Sequence, residues 1–419
     1  MKASAILRAG WNLLDQVISS ATNAILSFLI ARSVTESDFG GFSVAFTIFS
    51  VFIGLSRAVS VTPLSVRFAG SDRDEFDKAT ASGVGTALAI GLAGGLGCLG
   101  VGAVVGGAAG AALLALGVVL PGLLVQDAWR LVFFAESRAQ AAVVNDVAWA
   151  VLQIGAIFAL VVLELDQVGP LTLAWGLAAC AAAVLGMRQS GVRPRPAQAK
   201  RWLRDHRDLT KYLLLEYVTL QSGQQLAMLA IAGIGSLSAV GALRAVQVLL
   251  GPTTIILVGM YSFALPEFSR RRDTMTVRGW LGAAAALSVF VTVLSVVWGA
   301  IFLFIPDSIG EQLLGDTWSG AEAILVATIV GQAGSAIALG PATMLYAMDR
   351  AKVTLSIHAW LAPLLLVGGV GGVLLGGAEG AAWGFAAAFW AVNPAWWIRV
   401  AREAKAVAAG NASPESPAH

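Results

Sequence analysis

Four ionisable residues, Asp15, Arg57, Glu216 and Arg244, lie within or at the edge of segments otherwise apolar enough to cross a bilayer. A charge facing lipid costs several kcal/mol, so such residues turn toward a protein interior or a wet cavity. Arg57 has Ser56 and Ser60 beside it and no acid adjacent in sequence. Its planar fork suits a phosphate, which it can grip with two charged hydrogen bonds. Arg244, followed on its helix face by Gln247, is a second candidate of the same kind. Either arginine can instead pair with Asp15 or Glu216, or snorkel to an interface. Asp15 opens a polar stripe with Gln16, Ser19, Ser20 and Asn23, and Glu216 opens another with Thr219, Gln221, Gln224 and Gln225. Lining of a shared cavity explains both stripes, and so does hydrogen bonding between helices.

A second cluster comes from QDAWRLVFFAESRAQ, where Asp127 and Arg130 are three apart, share a helix face and can pair. Asp146 follows nearby with Asn145, Trp149 and Gln153. The group reads equally as an inner gate and as a structural ion-pair network. His358 has no companion ligands, so no metal site is expected. No glycine-rich loop ends in the GKS or GKT of a phosphate cradle, so the chain carries no ATPase of its own and no cofactor is expected. Cys98 and Cys180 sit inside apolar segments as small buried hydrophobes.

The elements that must position these groups are set by composition. The chain has 419 residues, 57% hydrophobic and only 12% charged, with 47 glycines. Soluble domains carry about 25% charged residues. Twelve spans follow, at roughly 9–31, 41–66, 79–104, 110–135, 141–164, 168–187, 210–233, 240–265, 279–304, 320–346, 353–376 and 379–399. The first is expected to be retained as a helix rather than cleaved as a signal peptide. With the N-terminus in the cytoplasm, 23 of the 27 Lys and Arg residues fall on the inner side, eight of them in Arg188–Lys211. That basic stretch reads as the cytoplasmic crossover between two halves, its WLRDHRDLTKY end forming an interfacial helix. The domains are then 1–187, an N-terminal six-helix bundle; 188–209, a basic connector; 210–402, a C-terminal six-helix bundle; and 403–419, a disordered cytoplasmic tail. FGGFSVAFTIFSVFIGL from Phe39 aligns with VGALRAVQVLLGPTTII from Val240, the mark of a parallel repeat. The fold class is therefore an all-α polytopic membrane protein, twelve transmembrane helices in two six-helix bundles around a central cavity.

The stretch from Trp11 to Leu55 carries Trp11 in a polar first helix, Ala31-Arg32, Glu36-Ser37-Asp38 and Phe39-Gly40. It resembles the opening of polysaccharide exporters and lipid-linked oligosaccharide flippases, of the multidrug/oligosaccharidyl-lipid/polysaccharide exporter superfamily. That resemblance implies a transporter that flips a polyprenyl-pyrophosphate-linked oligosaccharide across the cytoplasmic membrane by alternating access. It implies cavity arginines that engage the pyrophosphate, for which Arg57 and Arg244 qualify by type and depth, with Asp15, Glu216 and Gln224 as further lining. The expected partners are the lipid-linked substrate, membrane lipids and a polymerase or glycosyltransferase, with no nucleic acid, and the chain is expected to be monomeric. An ion-coupled drug or metabolite antiporter of the same fold is one alternative, with Asp15 and Glu216 as coupling carboxylates. A non-transporting scaffold for envelope assembly is another.

Overall fold

The structure, a computed structural model, describes the backbone of residues 2–69, 71–220, 222–271 and 274–412. Side chains are described from residue 18 onward, except at 216, 219, 220, 222, 258, 259, 262, 263, 266, 270 and 410–412. Every regular element among the described residues is helical. The first half comprises α1 (Lys2–Ser33), α2 (Glu36–Ser56), a π-helical turn (Arg57–Val61) leading into α3 (Thr62–Phe68), α4 (Arg73–Val105), α5 (Gly107–Ala135), α6 (Ala139–Val162) and α7 (Val168–Ser190). The connector holds a 3₁₀ turn (Pro196–Gln198) and α8 (Ala199–Asp205). Then come α9 (Arg207–Leu220), α10 (Ser222–Ile234), α11 (Leu237–Leu249), α12 (Gly251–Arg270), α13 (Val277–Ile301), the short α14 (Asp307–Leu314), α15 (Thr317–Ala347) and α16 (Ala351–Ala412).

The expected spans each find a helix. Among the described residues, eight helical stretches are individually long and apolar enough to cross a membrane, and α11 with the start of α12, bent by 53°, makes a ninth. The last of the eight lies within α16, which loses helical geometry at Gly376 and Gly377 and so supplies two passes. The first pass is α1, and α9 and α10 lie along the seventh. Large apolar side chains such as Leu96, Val104, Phe304 and Leu375 point outward. Lipid accepts such a surface, because intrahelical bonds satisfy the backbone and nothing polar need be wetted.

Local chemistry sets the ends. Thr35 caps α2 by accepting the Asp38 amide at 3.2 Å, and Asp72 caps α4 by accepting that of Glu75 at 2.9 Å. The acidic loop around Glu36 and Asp38 thus also complements the dipole of α2. Glycine sets the tight turn between α4 and α5, where Gly106 and Gly107 have φ of 66° and 58°. Farther along this hairpin the backbones approach so closely that a Cβ on Gly95 would lie 2.5 Å from the Gly117 carbonyl oxygen. Small residues permit that approach, which dispersion rather than hydrophobic burial drives inside a membrane.

The chain packs as two compact units. One holds Met1–Val248 with Asp307–Gly320, and the other Leu249–Pro306 with Ala321–His419. The first has a core of Leu64, Phe76, Val84, Trp129, Phe133 and Trp202. Trp202 comes from the connector, which is therefore no bare crossover: α8 buries Ala199 and Trp202, with His206 buried just beyond it, and exposes Lys200, Arg201 and Arg204. The second unit is built on Trp280, Met344, Met348 and Trp396. Its last helix continues past Arg402, the expected end of the bundle, because Ala404 and Val407 are buried and Glu403 accepts from Arg350 at 2.7 Å.

Candidate functional site

One face of the second span organises the first unit. Phe46, Ser50, Gly54 and Arg57 recur at helical spacing, and the eleven steps from Phe46 to Arg57 carry the helix through about three turns and 16 Å. Over Phe46 lies the guanidinium of Arg244, which α11 delivers to 4.0 Å from the ring centroid. The ring face attracts the cation. No carboxylate answers it among the described residues, and its buried Nε has no hydrogen-bond acceptor. Phe46 itself belongs to an aromatic cluster with Phe42, Phe49 and Trp175.

Midway along the face, Tyr217 of α9 donates toward the carbonyls of Ser50 and Val51, at 3.2 and 3.1 Å. Its ring lies where a side chain on residue 54 would stand, so only glycine fits there.

At the far end, Arg57 begins the π turn and Asp127 of α5 grips it with both oxygens, 2.8 Å from Nε and 2.5 Å from a terminal nitrogen. The Asp127 side chain is 6% exposed and that of Arg57 39%. Asp127 therefore faces Arg57 on another helix rather than Arg130 on its own. Arg130 pairs with Asp146 of α6 at 3.2 Å, and Gln126 donates to Asp146 at 2.8 Å. Asn145 is fixed by donating to the Ala182 carbonyl at 2.8 Å. Two ion pairs thus stand side by side, each joining α5 to a neighbour. Helix periodicity placed Asp127 and Arg130 on related faces, but the partners were supplied by helices distant in sequence.

Beyond Asp146 a polar void of about 10 Å³ is enclosed by Ser19, Thr22, Asn23, Asp146, Trp149 and Gln153. That is roughly the room one water needs. Both polar atoms of the Gln153 side chain are buried there without a partner among the described residues. Of the remaining expected residues, Gln224 is half-buried on α10. The side chains of Asp15 and Glu216 lie outside the described residues, on α1 and α9. Sequence reasoning passed over Phe46, Tyr217 and Trp202. Pro63 was the available signal for the last of these, since a proline inside a span leaves a carbonyl one turn earlier without its donor.

No protein-family model and no curated protein sequence matches the chain. Solved structures do. An inward-facing multidrug resistance MATE family transporter of the MOP superfamily superposes with a TM-score of 0.73 at 12% identity, over 93% of this chain and 96% of that one. The lipid II flippase MurJ, in an inward closed conformation, gives 0.69 at 13% identity over 97% and 90%. A MOP superfamily transporter from Pyrococcus furiosus gives 0.60 at 12% over 96% of each. The chain thus has the twelve-helix, two-bundle fold of these multi-pass membrane transporters.

Proposed function

We propose that this protein is a transporter that carries the anionic headgroup of a polyprenyl-pyrophosphate-linked oligosaccharide across the cytoplasmic membrane by alternating access. The observation that carries the reading is Arg244: a guanidinium over Phe46, with a buried nitrogen lacking an acceptor and no carboxylate among the described residues. A buried donor without an acceptor costs about 1–3 kcal/mol. A charge held at such a cost suits a site that meets its counter-ion only when the substrate arrives. Arg57, about 16 Å away along the same helix face, is the second station. There a phosphate competes with Asp127, and Asp127, once displaced, lies one turn from Arg130 on its own helix. The lipid tail stays in the bilayer while the headgroup passes the two cations in turn. The fold shared with MurJ is compatible with this chemistry.

The test is Arg244→Leu in vesicles loaded with a fluorescent short-chain polyprenyl-pyrophosphate disaccharide. The variant should fold as well as the parent or better, since a buried nitrogen without an acceptor among the described residues is gone, while translocation falls by at least about tenfold. Translocation at the parental rate would refute the reading.

An ion-coupled antiporter is the second reading, favoured by the polar void beside Asp146 and by the shared MATE fold. Headgroup translocation that is insensitive to collapse of the proton and sodium gradients argues against it.

A further inference from the structure

We infer that the cytoplasmic connector clamps the π turn that carries Arg57, and that Trp202 is a positioning residue for that arginine. This rests on the function proposed above for Arg57. In an α-helix the Val59 carbonyl would accept the amide of residue 63, which is Pro63 and has none. The chain instead widens: the Thr62 amide reaches back five residues to the Arg57 carbonyl. A single π turn of this kind leaves carbonyls to be satisfied from outside the helix. The indole Nε1 of Trp202 donates to Val59 at 3.0 Å, across 143 residues of sequence.

The rest of the connector holds that indole in place. The Arg195 amide donates to the Ala81 carbonyl at 2.8 Å, and Ser82 donates to the Gln198 side chain at 2.6 Å. Gly85 has no side chain because the Arg195 backbone lies where a Cβ would stand. His206 lies against the Trp202 ring, centroids 4.0 Å apart, and Phe68 packs against both, 6.0 Å from Trp202 and 5.8 Å from His206. Arg67, at the end of the same span, holds Asp208. A loop serving topology alone needs charge and length, not a buried indole aimed at one carbonyl. With the carbonyl satisfied, the turn keeps one geometry, and the fork of Arg57 keeps one direction.

Trp202→Phe keeps an aromatic ring against Phe68 and His206 and deletes the donor. Two measurements on the full-length protein decide the matter. Amide exchange over residues 57–62 should quicken about fivefold, with exchange in the middle of α5 unchanged; no change over 57–62 overturns the clamp. In vesicles with the fluorescent polyprenyl-pyrophosphate disaccharide, the half-saturating concentration should rise about fivefold with the maximal rate held within about twofold. Faster exchange with unaltered half-saturation overturns the link to Arg57. Gln198→Ala loosens the connector from its other anchor without touching the aromatic core, and should move both readings the same way by a smaller factor. If Arg57 variants themselves translocate normally, the phosphate role proposed for Arg57 has failed, and the exchange measurement still decides the clamp.

Discussion

Removing Arg57 alone strips the partner from Asp127, whose side chain is 6% exposed. Breaking a buried pair from one side costs about 3–5 kcal/mol. Asp127→Ala should cost less, about 1–2 kcal/mol, because the Arg57 side chain is 39% exposed and its charge can be hydrated. The double variant Arg57→Ala/Asp127→Ala removes both charges and should be more stable than Arg57→Ala, with a coupling energy of about 2–3 kcal/mol in the cycle. Equilibrium unfolding of the purified proteins in mixed detergent gives the four free energies. Translocation in vesicles is then measured on the double variant, which lacks the Arg57 cation. Zero coupling refutes the energetic argument, and parental translocation by the well-folded double variant refutes the phosphate role of Arg57.

Gly54→Ala places a methyl in the Tyr217 ring position and should destabilise the first unit by about 1–3 kcal/mol, whereas Tyr217→Phe, losing only the hydroxyl bonds, should cost about 1 kcal/mol; unfolding measurements compare the two. The hydrogen bond from Arg67 holds the Asp208 carboxyl below the usual aspartate range. Because that value is depressed in the folded protein, the stabilisation is complete above about pH 4 and is lost as pH falls through the lower, folded value. Asp208→Asn should thus match the parent once the pH lies below that folded value, and it should also match it at about 1 M salt, where exposed charges are screened. Gln153→Met should stabilise the fold, since it removes two buried polar atoms without protein partners, and a lowered unfolding midpoint would show that a bound water satisfies them.

Much of this protein is legible along the chain. Twelve runs of apolar residues give twelve helical passes because a bilayer leaves the backbone no other way to close its hydrogen bonds. The turns at Gly106 and Gly376-Gly377 were marked by glycine pairs, and the depth of Arg57 and Arg244 follows from counting residues along a span. The helix faces of Asp127 and Arg130 were also readable, since a 3.6-residue period is a local property. What that period leaves open is the partner across the gap. Tertiary packing alone joined Arg57 to Asp127, 70 residues away, and Arg130 to Asp146, and it left Arg244 over a phenylalanine with no acid to answer it among the described residues. It also turned a basic stretch, explained sufficiently by topology, into a connector whose Trp202 reaches the Val59 carbonyl that Pro63 cannot serve. Chain-local rules determine which groups are buried and which backbone atoms lack a bond. Only the packed helices decide which group comes to meet them.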